Sequence, residues 1–141
     1  MERGQLGIDN HQSTVFVFDG LIGNLLRPRT HRALINMRQW EYALDLWEFD
    51  IKVCDYISAL MSRYGLSVDV LTWQPQGFAN ALQDKLWKMR VPVQEVRSST
   101  YRIESPHAAT DDSISVVFDG DLTHRMGYGY KAREFDPRKV F

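Results

Sequence analysis

Three short apolar runs punctuate the chain, and none of them alternates with polar residues in the manner of a half-exposed strand. They are Val15-Phe16-Val17-Phe18, Val68-Asp69-Val70-Leu71 and Ile114-Ser115-Val116-Val117-Phe118. Runs that are apolar on both faces and rich in β-branched and aromatic residues predict parallel strands, because helices cover both sides of such a sheet. Between the first two runs, apolar residues recur at steps of three and four at Trp40, Leu44, Trp47, Ile51, Cys54, Ile57, Met61 and Tyr64. Asp45, Glu48, Lys52, Asp55 and Arg63 fall largely off that stripe. The stripe predicts one long amphipathic helix over 38–64, closed by Gly65 at its C-cap. A second helix is predicted over 77–90, with Phe78, Leu82, Leu86 and Met89 inward and Pro92 just beyond its end. Val93 to Val96 reads as a further short strand.

Strand and helix therefore alternate, which predicts an α/β fold: a three-layer, Rossmann-like, mostly parallel sheet in one domain over 1–141. Residues 1–12 read as a flexible N-terminal arm. The polar stretch from Ser98 to Ser113 reads as a loop, and the stretch from Leu122 onward has no clear period.

Composition narrows the class. At 141 residues, with 44% hydrophobic and 25% charged residues, the chain is an ordinary globular domain rather than a disordered or low-complexity one. No apolar run approaches the ~20 residues that span a bilayer, and MERGQLGIDNHQ contains no signal-peptide core, so a cytoplasmic protein is expected. One cysteine, Cys54, excludes a disulfide framework and a multi-thiolate zinc site. Net charge is −1, which supplies no global reason to expect nucleic acid as a partner.

Candidate chemistry lies at the strand ends. The first run ends in Asp19-Gly20, the second in Thr72 and the third in Asp119-Gly120-Asp121. In open α/β sheets ligands bind outside the carboxyl ends of the strands. If the three strands are neighbours, with the first in the middle, two or three carboxylates and a hydroxyl share one crevice. Carboxylates so gathered repel one another unless a proton or cation sits among them, which points to Mg²⁺ and thence to phosphate chemistry. Against this stands the commonness of Asp-Gly as a plain turn pair.

The order of these endings resembles the haloacid dehalogenase-like (HAD) superfamily, whose members are mostly Mg²⁺-dependent phosphatases. VFVFDG with Asp19 is similar to its first motif, VDVLTW with Thr72 to its second, and ISVVFDGD with Asp119 and Asp121 to its fourth. The stretch LTWQPQGFANALQDKLWKMRVPV also resembles small HAD-like proteins of actinobacteria and their phages. The likeness spans roughly residues 14–135. It implies a HAD-type sheet with little or no cap, Asp19 as nucleophile, and Mg²⁺ held by Asp19, Asp119 and Asp121. It further implies Thr72 on a phosphoryl oxygen and a basic residue from the region of Lys85, Lys88, Arg97 and Arg102 balancing the charge. The family's acid–base Asp, two residues beyond the nucleophile, is here Leu21. General acid–base help is worth about 10²–10⁴-fold, and a leucine supplies none.

Two functions follow from the resemblance and its departure. One is a Mg²⁺-dependent phosphohydrolase of weak or absent activity acting on a phosphorylated small molecule. The other is a catalytically silent HAD-like scaffold that binds a protein partner or a second copy, placed in host cytoplasm if phage-encoded. The four histidines, His11, His31, His107 and His124, show no metal-ligand spacing. Cys54 falls on the apolar stripe as a core residue. Arg27-Pro28-Arg29-Thr30-His31-Arg32, after the first strand, could attract an anionic substrate or nucleic acid; the reading preferred from sequence is a solvated loop, since no aromatic residue interleaves with the arginines. The segment from His124 to Arg133, with Tyr128 and Tyr130, reads as a stacking or docking element or as the turn after the last strand.

Overall fold

A computed structural model describes residues 13–98, 114–120, 132–133 and 135. In chain order the elements are β1 Ser13–Val17, β2 Gly23–Leu25, α1 Pro28–Asn36, α2 Trp40–Leu44, β3 Trp47–Phe49 and α3 Ile51–Tyr64. They continue as β4 Val68–Thr72, α4 Gln76–Lys88, β5 Glu95–Ser98, β6 Ile114–Phe118 and β7 Ala132–Arg133.

Five strands form one sheet in the order β5-β4-β1-β6-β7, and every neighbouring pair is parallel. Counted along the chain within this sheet the order is 3-2-1-4-5, the first five strands of a doubly wound α/β sheet. The expected α/β, Rossmann-like class is thus found, with β1 between β4 and β6. Both faces of the central strands are buried. Phe16, Phe18, Val68, Val70 and Val116 point one way and pack with Val53, Cys54 and Ile57 of α3 and Phe78, Leu82 and Leu86 of α4. Val15, Val17, Leu71, Trp73 and Val117 form a separate cluster on the other face. Two-sided burial explains why these strands read as unbroken apolar runs.

The helix predicted over 38–64 is three elements instead. α2 ends at Leu44, β3 pairs antiparallel with β2 (Gly23 with Phe49, Leu25 with Trp47), and α3 begins at Ile51. Asp50 sets that start: its Oδ1 accepts from the Lys52 and Val53 amides at 2.9 and 3.4 Å, an N-cap that satisfies otherwise orphaned donors. The 3–4 spacing continued across the break because Trp47 also faces inward, its ring 4.7 Å from Phe18. Ile51, on the predicted stripe, is exposed. Gly65 does end α3, in the left-handed conformation at φ 64°. The second predicted helix is α4, and the strand expected at 93–96 is β5, shifted to 95–98.

The basic stretch expected to be a loop is helical. Pro28 opens α1, where its missing N–H costs nothing, and His31 is buried beneath it. α1 and α2 form an insertion between the two strands of the β2–β3 hairpin, and α2 packs on α4. That approach is close: a Cβ at Gly77 would stand 2.2 Å from the Trp40 ring. The expected arm at 1–12, the expected loop after Ser98 as far as 113 and most of the stretch from Leu122 lie outside the described residues, and the expected third layer is not among the described elements. Among the described residues no helix is long and apolar enough to cross a membrane.

Candidate functional site

β1 and β6 are adjacent strands at which the chain order reverses, the place where doubly wound sheets open a crevice at the strand C-termini. Asp19 follows β1 and Asp119 follows β6, and Asp119 is fully buried. The turns that carry them touch. Gly20 adopts φ 90°, a conformation that favours glycine, and a Cβ placed on Gly120 would lie 2.8 Å from the Gly20 carbonyl oxygen. Only glycine lets the two backbones approach in this way.

The Asp19 carboxylate is held by three donors from the end of β4 and the two residues that follow it. Thr72 Oγ1 donates to Oδ1 at 2.7 Å, the Trp73 amide donates to Oδ1 at 3.1 Å, and Gln74 Nε2 donates to Oδ2 at 3.0 Å. The Gln74 amide in turn donates to Thr72 Oγ1 at 3.2 Å, and Ser98 Oγ donates to the Gln74 carbonyl at 2.5 Å. The ends of β1, β4 and β5 are therefore joined by one hydrogen-bond network. Burial raises the Asp19 pKa above its ordinary value of 3.8, and the bonds from Gln74, Thr72 and Trp73 oppose that rise.

The pairing of Asp19 with Thr72 was legible in the sequence; Gln74 was not, because a loop glutamine carries no periodic signal. His31 was missed too. Its ring stands edge-on to Trp47 at 5.3 Å and to Phe78 at 5.7 Å, and its Nε2 has no partner among the described residues. The signal was present in His31, Leu34 and Ile35, whose spacing marks one helix face after Pro28. Burial lowers the His31 pKa below 6.5, and the Asp19 charge acts in the opposite sense. The folded state consequently binds fewer protons at His31 than the unfolded state does below pH 6.5. Stability at this residue is present above that pH and is lost as pH falls through the lowered folded pKa. Urea titrations across this range should show an acid-side loss in wild type that His31→Leu lacks; an identical pH profile in both would place the loss elsewhere.

Of the candidate basic residues, Lys85 lies over the Phe49 ring, Nζ 5.4 Å from its centroid, and Lys88 is exposed in the last turn of α4. Arg97 pairs with Asp69 rather than with Asp19. Arg102 and Asp121 lie outside the described residues. Cys54 is buried, its thiol pushed up to about 11 by burial and then by Asp50 and Asp55, a core residue and no nucleophile.

A recess of about 350 Å³ adjoins the Asp19 turn, lined by Gly20, Leu21, Ile22, Gly23, Asn24, Glu48, Phe49 and Asp50. Leu21 thus stands between the recess and the core cluster, against which it also packs. Among the described residues no three His, Cys, Asp or Glu side chains gather as a metal site. The oxygen donors nearest in the fold are the Asp19 carboxylate and Asp119, carried on turns that touch, with the Leu21 carbonyl in the turn after Asp19. Oxygen donors of this kind suit Mg²⁺ completed by water. Compared with protein-family models, curated proteins and solved structures, the chain matches none.

Proposed function

We propose that this chain is a HAD-like, Mg²⁺-dependent phosphohydrolase of low turnover. The observation that carries the reading is the Asp19 carboxylate at the end of the central parallel strand, bonded to Thr72 at the end of one neighbour and flanked by Asp119 at the end of the other. A strand order of 3-2-1-4-5 with a carboxylate at the switch point supports it.

On this reading Asp19 attacks phosphorus, the bond to the leaving oxygen breaks, and an aspartyl-phosphate forms. Asp19, Asp119 and the Leu21 carbonyl would hold Mg²⁺, which when bound would offset the charge of phosphate beside two carboxylates. Thr72 orients Asp19 with its single hydroxyl proton, which must turn from Oδ1 to serve a phosphoryl oxygen. One carboxylate oxygen attacks and the other would face the cation, so the donors from Thr72, Trp73 and Gln74 must in part be released before attack. The leaving group draws its proton from solvent, because Leu21 has none to give. Water then cleaves the aspartyl-phosphate, again without a base, so this second step limits turnover.

The test is a stopped-flow assay on p-nitrophenyl phosphate with millimolar Mg²⁺. Expected are a burst followed by slow release, no burst in Asp19→Asn, and faster steady turnover in Leu21→Asp by up to about 10²-fold. A thermal shift with Mg²⁺ should be present in wild type and reduced in Asp119→Asn. Activity unaffected by Asp19→Asn would overturn the reading.

A second reading is favoured by the same network: with three donors on Asp19 and a leucine packed into the core at 21, the site serves as a structural lock in a silent scaffold. That reading requires no hydrolysis by wild type or by Leu21→Asp.

A further inference from the structure

The stretch from Gly20 to Trp40 holds four of the chain's 17 Lys and Arg residues and none of its 18 Asp and Glu. Folding turns this local excess into a surface. α1 is anchored through His31, which is buried, and through Leu34 and Ile35, which pack against the core. Arg29 and Arg32, three apart on the same helix, project from the opposite, exposed face. Arg27 at the N-cap and Arg38 just beyond the helix are exposed as well. Among the described residues none of the four is ion-paired.

Their placement opposes the helix's own interest. Arg27 and Arg29 sit at the N-terminal end, where the helix dipole is positive and where an acidic residue would stabilise; the first turn has none. A chain near electrical neutrality has concentrated unpaired positive charge where it disfavours the fold. The same insertion leaves apolar side chains open to solvent: Met37, next to Arg38 in the chain, is 62% exposed and Tyr42 of α2 65%. Arginine forks match phosphate oxygens bidentately, and an exposed tyrosine ring offers a face on which an unpaired base can stack.

We infer that the outer face of the α1–α2 insertion binds single-stranded nucleic acid, with Arg27, Arg29, Arg32 and Arg38 on the phosphates and Tyr42 against a base. The acidic residues Glu41 and Asp45 of the second half of the insertion limit the charged track to α1 and its ends. This surface uses none of the groups that hold Asp19, so its success or failure is independent of the phosphohydrolase reading.

Fluorescence anisotropy with a short labelled single-stranded oligonucleotide, on the full chain and without Mg²⁺, tests it. Binding should weaken linearly in log–log form with salt, with a slope of about 0.7 per phosphate contact. Arg29→Glu with Arg32→Glu should weaken binding by about tenfold or more and lower the slope by about 1.4. Lys52→Glu, an exposed charge reversal on α3, should leave both nearly unchanged, and Tyr42→Ala should weaken binding with the slope intact. Equal losses from Lys52→Glu and Arg29→Glu would reduce the effect to net charge and overturn the assignment. So would retention on vesicles of anionic lipid without oligonucleotide binding, or an absence of binding at low salt. Circular dichroism of each variant separates lost binding from lost fold.

Discussion

Replacing Phe78 with alanine is expected to lower the free energy of unfolding by about 3–5 kcal/mol. Phe78 is fully buried on the first turn of α4, and three rings surround it: Phe18 at 5.9 Å, His31 at 5.7 Å and Trp47 at 6.0 Å. These come from the residue just after β1, from α1 and from β3, so this single side chain fastens the insertion and the hairpin to the sheet. The void left by alanine cannot close cheaply. Phe18 is itself pinned, since even a Cβ at Gly23 would meet its ring at 2.4 Å. Dispersion contacts on several sides are lost together with the transfer free energy. Against a total stability of about 5–15 kcal/mol the loss is large. Urea denaturation followed by tryptophan fluorescence measures it. Trp87→Ala on the same helix is the control, exposed and losing chiefly its bond from Nε1 to the Val93 carbonyl, for about 1 kcal/mol. A comparable loss in both variants would mean that the insertion is not packed through Phe78.

Arg97→Leu is expected to cost about 3 kcal/mol, and adding Asp69→Val should recover most of it. Asp69 lies within β4, its side chain only 1% exposed, and Arg97 Nη2 of β5 reaches its Oδ2 at 2.6 Å. Asp69 Oδ1 has no partner among the described residues, so the guanidinium is the main compensation for a desolvated charge. Removing the arginine leaves that charge buried and unpaired. Removing both leaves an apolar pair beside Leu71, compatible with the cluster on that face. Arg97 is 27% exposed and also lies 3.5 Å from Glu95, which places the expected cost toward the lower end for buried pairs. The double-mutant cycle reads the coupling directly. If the double variant were no more stable than Arg97→Leu alone, the arginine would matter through packing instead of charge.

The elements that were misread failed for a shared reason. From Trp40 to Tyr64 the inward-facing residues keep a helical spacing although three different elements supply them. Local periodicity records which residues face the core; it does not record that Trp47 reaches the core from a strand. In the basic stretch the charges lie on the solvent side of a helix whose inward face is His31, Leu34 and Ile35, a face too short to stand out beside the arginines. Arg97 was one of several candidates to balance phosphate charge until β5 placed it across from Leu71, within reach of the buried Asp69 two residues back on β4.

What the sequence determined by itself was the α/β class, the two-sided burial that marks parallel strands, and the polar endings at Asp19, Thr72 and Asp119; strand pairing then put β1 at the centre, as those shared endings led one to expect. Those features follow from side-chain polarity along short segments, where burial on two faces or an abrupt polar ending leaves a local signature. Tertiary structure alone decided the rest. Gln74 closes on Asp19, the Gly20 and Gly120 turns meet, His31 enters an aromatic nest, and four arginines share an exposed surface. Each depends on distances between residues far apart in the chain, or on which face of a helix the core claims, and such distances are set by packing rather than by local pattern.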